Sequence, residues 1–197
     1  AVSYKIIKNG VTIKTTSVLS TDIPKGPYAE YQVISVDKEG RGSFASEPIV
    51  VVDDKEVKIL QAEVSAPKAD LPYKGYTGDG FVEISTSINR NLSFNIDIPM
   101  NGWYAVDFRY ANGNGPTNTE NKCAIRTLQV DGKNKSAIVF PQRGKEEWSN
   151  WGYTNSLKVF LAKGKHTIGL SFEEVNENMN GVVNQAMVDC LRVVKIK

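Results

Sequence analysis

Two tryptophans and a tyrosine within six positions, Trp148-Ser-Asn-Trp151-Gly-Tyr153, carry the most recognisable chemistry of this chain. The stretch is too polar and too broken by glycine for a core strand, which predicts rings on a loop beside amide side chains. A flat ring packs on the C–H face of a pyranose, while amides and carboxylates take its hydroxyls. A competing reading plugs one or both rings into the end of a hydrophobic core. Trp151 is expected at the surface and Trp148 in the core. Catalytic chemistry is less well served. The single histidine, His166, alternates with Ile168 and Leu170, which suits a strand edge at the core rim. A Cys123–His166 dyad would need an activating environment and an oxyanion hole, and no Gly-rich motif supplies one. One histidine and two separated cysteines are too few for zinc. Acidic residues are numerous enough for glycoside hydrolysis, but a domain this small offers no evident deep cleft. A non-catalytic protein is expected.

The chain has 197 residues, 24 Lys and Arg against 22 Asp and Glu, and a net charge of +2. Its basic residues are interspersed with acidic ones, so no basic stripe exists to hold phosphates, and nucleic acid is not an expected partner. No apolar run approaches a membrane span, and no charged-then-apolar leader opens the chain. Cys123 and Cys190 allow one bridge at most, and both sit in strand-like sequence where a cysteine commonly acts as a small buried hydrophobe.

These side chains must be positioned by strands. Leu92, Phe94, Ile96 and Ile98 alternate with polar residues, as do Tyr104, Val106, Phe108 and Tyr110, and then Ile168, Leu170 and Phe172. Turn pairs such as Asn9-Gly10, Glu39-Gly40, Asp131-Gly132 and Lys163-Gly164 punctuate them. Many short strands with such turns predict an all-β fold of sandwich type. A charged run at Val52-Asp-Asp-Lys-Glu56 marks a boundary, giving domains at residues 1–54 and 55–197.

The first domain contains Tyr31-Gln-Val-Ile-Ser-Val-Asp37 followed by Gly40-Arg-Gly-Ser43. It resembles the later half of a fibronectin type III domain, an immunoglobulin-like sandwich, and the resemblance implies that the Tyr31 hydroxyl ties down a corner. The first two strands of that family have no counterpart here. Half a sandwich exposes a sheet face and an edge, which predicts that Ala1 lies inside a longer multidomain protein.

The second domain carries Ile59-Leu-Gln-Ala-Glu63, Gly75-Tyr-Thr-Gly-Asp-Gly80, Gly102-Trp-Tyr-Ala-Val-Asp-Phe-Arg-Tyr-Ala-Asn112, Leu128-Gln-Val-Asp-Gly132, the tryptophan segment, Leu161-Ala-Lys-Gly-Lys-His166 and Asp189-Cys-Leu-Arg-Val193. In that order these motifs resemble carbohydrate-binding modules of families 35 and 6 over residues 57–197. The resemblance implies a β-jelly roll, non-catalytic, that holds a secreted glycoside hydrolase on polysaccharide. Its partners would be the polysaccharide and the catalytic domain of the same parent chain, outside the cell, at its surface or in the periplasm. An alternative is a structural accessory domain that packs on the catalytic domain and binds no sugar.

The resemblance further implies a structural Ca²⁺ held by Gln61, Glu63 and Asp189. Carboxylates two residues apart on a strand face the same way, and Ca²⁺ takes about six to eight oxygens. Gln61 replaces the more usual Glu and removes one charge from the site. The sugar-binding positions implied are Tyr76, Asn112, Trp151 and an Asn before the last strand. Met187 stands where that Asn is usual, so Asn180 and Asn184 are the substitutes. Some family 35 modules use a second Ca²⁺ to capture uronic acids, for which Asp79 is available.

Overall fold

A computed structural model describes residues 2–115, 122–176 and 184–196. The chain divides into two compact units, Ala1–Val57 and Lys58–Lys195. That division lies three residues beyond the boundary expected from the charged run, because residues 54–56 form a short 3-10 turn that leads into the next strand.

The first unit is one antiparallel sheet of β1 (Ser3–Lys8), β2 (Val11–Thr16), β3 (Ala29–Val36) and β4 (Ile49–Val51), in the order β2-β1-β3-β4. Asn9 and Gly10 make the two-residue turn between β1 and β2, both at positive φ (49° and 83°). Such a turn matches the strand twist, and Gly10 tolerates this backbone for want of a Cβ. Tyr31 packs with Ile6 and Ala29. Among the described residues its hydroxyl has no hydrogen bond, so packing holds it rather than the corner bond expected. Val11 and Ile49 are each 65% exposed, leaving part of the sheet's apolar surface open to water.

The second unit contains β5 (Val57–Gln61), β6 (Val82–Ile84), β7 (Asn91–Ile98), β8 (Gly102–Ala111), β9 (Ala124–Val130), β10 (Lys133–Phe140), β11 (Gly152–Tyr153), β12 (Leu157–Leu161), β13 (Gly164–Ser171) and β14 (Ala186–Lys195). One sheet runs β10-β9-β13-β7; the other runs β11-β8-β14-β5, with β12 on β8 and β6 on β14. This is a sandwich, as the period-two patterns predict. Their apolar halves, from Leu92 to Ile98 and from Tyr104 to Tyr110, meet in one core with Leu128, Phe140, Ile168, Leu170 and Leu191. Phe94 and Phe108 touch at a ring separation of 6.0 Å. Phe108 is fully buried, and cutting such a ring to Ala costs about 3–5 kcal/mol.

At the end of the sandwich where β9 leads into β10, His166 closes two turns at once. Its Nδ1 lies 2.7 Å from Asp131 Oδ2 and its Nε2 2.8 Å from the Ala162 carbonyl. Both partners accept, so the ring donates from both nitrogens as imidazolium. The Asp131 hydrogen bond, with that of Ala162, raises the His166 pKa above 6.5 despite partial burial. Asp131 is lowered from 3.8, first by the Thr167 N–H and then by His166. The His166 contribution is therefore fully present below about pH 6.5 and is lost as pH rises through the raised folded value. That of Asp131 is present above about pH 4 and is lost as pH falls through its depressed value. Replacing His166→Gln should flatten the loss of melting temperature on moving from about pH 6 to higher pH. Equal slopes in the two proteins would refute the clamp.

Candidate functional site

β14 pairs with β8 along its length, but the register shifts between Val188 and Cys190. Val188 faces Tyr110 and Cys190 faces Arg109, so Asp189 is the extra residue of a bulge. Freed from the pairing, its fully buried carboxylate turns to the 75–79 turn. Thr77 N–H donates to Asp189 Oδ1 at 2.9 Å, and Arg109 Nη1 pairs with Oδ2. Arg109 Nη2 also donates to the Gly75 carbonyl at 3.0 Å. Beside them, Glu63 Oε1 accepts the Asp79 N–H at 2.9 Å.

This pocket has more acceptors than protons. Thr77 Oγ1 lies 3.2 Å from Gln61 Oε1 and 3.1 Å from each Asp189 oxygen, yet one hydroxyl proton can serve only one of them. Glu63 Oε2 is buried without a partner. A Cβ on Gly78, whose φ is +65°, would come within 2.8 Å of Gln61 and Glu63. The backbone must therefore press close to these side chains, and only glycine fits. Gln61, Glu63 and Asp189 thus converge, and their surplus oxygens suit a hard cation. Two carboxylates and one amide make up the set; among the described residues no three His, Cys, Asp or Glu side chains gather as a metal group. Arg109 offsets one of the two negative charges. Cys190 follows in β14, its thiol pushed up to about 12 by burial and by Asp189. Cys123 and Cys190 are not bridged to each other.

The tryptophan segment differs from expectation. Trp151 is half-buried, its Nε1–H donates to the Lys74 carbonyl at 2.7 Å, and its ring packs on Phe81 at 5.5 Å and under Arg109. Tyr76 meets both Phe81 and Trp151. Trp148, expected in the core, is half-buried too and stacks on Tyr73 with an interplanar angle of 13°. Both indoles therefore belong to a satellite core around Phe81, Ala111 and Met187. Its existence explains the choice of Met187 where an Asn was expected: the side chain is fully buried among rings. Tyr153, third ring of the segment, lies beneath Arg192 at 3.6 Å. Arg192 in turn makes two hydrogen bonds to the buried Asp107, at 2.8 and 2.7 Å.

The asparagines require a larger correction. Asn112 is fully buried, donates to the Phe140 and Lys122 carbonyls, and accepts the Asn114 N–H. Asn184 is 2% exposed, donates to the Asn176 carbonyl and accepts from Ile125 N–H and Arg126. Both amides are spent inside the protein and line no concave surface with Trp151. A buried amide must find such partners, which is why a polar loop sequence misleads here. Asn180 lies outside the described residues.

Other side chains gather at this end of the sandwich. Gln185 Nε2 donates to Glu83 Oε1 at 2.7 Å, and Asn114 Nδ2 donates to the Gln185 carbonyl at 3.3 Å. Tyr73 adjoins them, its phenol raised by burial and then by Glu83 and Glu146. A Cβ on Gly113 would fall 2.6 Å from the Trp148 ring, so this glycine lets the backbone meet the indole. Tyr73, Trp148, Glu83, Asn114 and Gln185 are all half-buried. Nothing in their spacing, dispersed over a hundred positions, announced them; only the Tyr73 and Trp148 ring types were a signal.

No protein-family model matches the chain. It is 35% identical over 112 residues to a cycloisomaltooligosaccharide glucanotransferase of Niallia circulans, covering 57% of this chain and 10% of that protein. Among solved structures, a Paenibacillus cycloisomaltooligosaccharide glucanotransferase complexed with cycloisomaltoheptaose aligns with a TM-score of 0.55 at 30% identity, over 68% of this chain and 18% of that one. A family 35 carbohydrate-binding module of Clostridium thermocellum aligns with a TM-score of 0.52 at 24% identity, over 70% of this chain and 96% of that module. The chain therefore spans about a tenth to a fifth of the two enzymes and nearly all of the isolated module. The second unit is a β-sandwich like that of family 35 carbohydrate-binding modules.

Proposed function

We propose that this chain is a non-catalytic carbohydrate-binding accessory region of a larger carbohydrate-active protein, and that its ligand is an isomaltooligosaccharide or a glucan of that class. The observation carrying this reading is the half-buried surface of Tyr73, Trp148, Glu83, Asn114 and Gln185 at one end of the sandwich. Rings offer C–H stacking there, and the carboxylate and amides offer hydroxyl partners. The sugar class is taken from the names of the two similar enzymes. Attachment would act by raising the local concentration of glycan at a linked catalytic domain. A location outside the cytoplasm belongs to the same proposal; no described helix is long and apolar enough to cross a membrane.

A second reading, an accessory domain that packs on its neighbour without binding sugar, draws on a different feature. Trp103 and Phe160 pair across β8 and β12 and remain 50% and 56% exposed, as an interface would require. A glycan array followed by titration with isomaltooligosaccharides separates the two. Trp148→Ala should weaken binding about tenfold, the fall that about 1.4 kcal/mol of lost contact produces. Absence of binding by the unaltered chain to any glycan would favour the packing role.

The cage at the β14 bulge belongs to this proposal as a structural calcium site. Gln61, Glu63 and Asp189 would hold the ion, whose charge would satisfy the orphaned Glu63 oxygen and the crowded Asp189 carboxylate. Free calcium at about a hundred times its Kd stabilises a fold by about 2.7 kcal/mol. Calcium should accordingly raise the melting temperature and EDTA lower it, with Glu63→Gln removing the difference. Identical melting curves with calcium and with EDTA would rule the ion out.

A further inference from the structure

Among the described residues Arg126 is the largest fully buried side chain. It points inward from β9, in step with Leu128 and Val130, where an apolar residue would be expected. Among the described residues no carboxylate pairs with it, and its Nε has no hydrogen-bond partner. A buried charge in this state is costly unless its remaining donors are well used. They are. Nη2 donates to the Ser85 carbonyl at 2.9 Å and to the Asn184 carbonyl at 3.2 Å. Nη1 donates to the Ile125 carbonyl at 2.7 Å and to Asn184 Oδ1. Phe172 lies 4.9 Å from the guanidinium and receives Arg90 at 4.7 Å. Burial and the Arg90 charge lower the Arg126 pKa to about 10, which still leaves it charged at neutral pH.

The two carbonyls held by Nη2 sit next to the candidate surface. Ser85 lies two residues beyond Glu83, and Asn184 immediately precedes Gln185. Glu83 and Gln185 are the pair hydrogen-bonded at 2.7 Å. The network continues through Asn184 Nδ2 to the Asn176 carbonyl at 2.7 Å, and Asn176 Oδ1 accepts the Glu173 N–H at 2.8 Å. A planar, five-donor fork can fix several backbone carbonyls at once, as a lysine cannot.

We infer that Arg126 is a positioning residue for the glycan site: from inside the sandwich it fixes the spacing of the strand ends that present Glu83 and Gln185. This rests on the carbohydrate-binding reading, and it assigns Arg126 no contact with sugar. The cost of holding an unpaired guanidinium in the core is then balanced by a preorganised surface, which lowers the ordering cost of binding.

The test compares Arg126→Met with Leu128→Ala, a buried core neighbour on the same strand. Hydrogen exchange should rise about tenfold more at residues 83–85, 125 and 184–185 in Arg126→Met than in Leu128→Ala. With both variants folded, affinity for isomaltooligosaccharides should fall about tenfold in the first and little in the second, and Arg126→Lys should restore part of it. Combining Arg126→Met with Gln185→Ala should cost less affinity than the sum of the two single changes. Equal local exchange in the two variants, or wild-type affinity in Arg126→Met, overturns the inference. If the unaltered chain binds no such glycan, the functional reading fails while the exchange comparison still decides whether Arg126 fixes these strand ends.

Discussion

One extra residue in β14 organises the second unit. Without the bulge at Asp189, strict alternation would either put that carboxylate in the core beside Leu191 or, with Val188 kept inside, turn Leu191 out of the core. The bulge lets Val188 and Leu191 both face the core while Asp189 turns aside to Thr77 and Arg109. The loop over residues 75–79 is thereby tied to the sheet, and with it the rings of Tyr76 and Phe81. The acceptor-rich cage and the aromatic satellite core share this one backbone irregularity.

Polar groups buried without simple pairing recur in this sandwich. Asp107 is answered by the fork of Arg192, and Asp189 by Arg109 and Thr77. Arg126 has carbonyls in place of a carboxylate. Asn112 and Asn184 act as adaptors, each accepting and donating between strand ends. In a low-dielectric interior a group left half-satisfied is expensive, so such networks specify one arrangement of the loops. That rigidity is what a surface built of side chains from distant sequence positions requires.

The first unit follows a plainer logic. Its sheet order β2-β1-β3-β4 follows from an Asn-Gly hairpin and two longer connections. Its core is small, with Ile6, Ala29 and Tyr31 buried together while Val11 and Ile49 remain exposed. A single sheet has two faces and too little chain to cover both.

Period-two alternation by itself determined the all-β architecture, because side chains on a strand must alternate and only one face can be apolar. Gln61, Glu63 and the distant Asp189 were legible as a set only through the family resemblance, and strand alternation is not what joins them: β5 ends at Gln61, and Glu63 lies in the 3-10 turn Ala62–Val64 that follows. The fate of the rings and amides was not legible. Trp151 and Asn112 look like surface groups in sequence, yet one caps a satellite core through Lys74 and the other fills its hydrogen bonds inside. Composition states that a side chain is polar or flat; only the packed structure decides whether water or protein satisfies it. Glu83 and Gln185 show the same limit in reverse, since 102 positions separate two ordinary polar residues that hydrogen-bond only because β6 is laid beside β14.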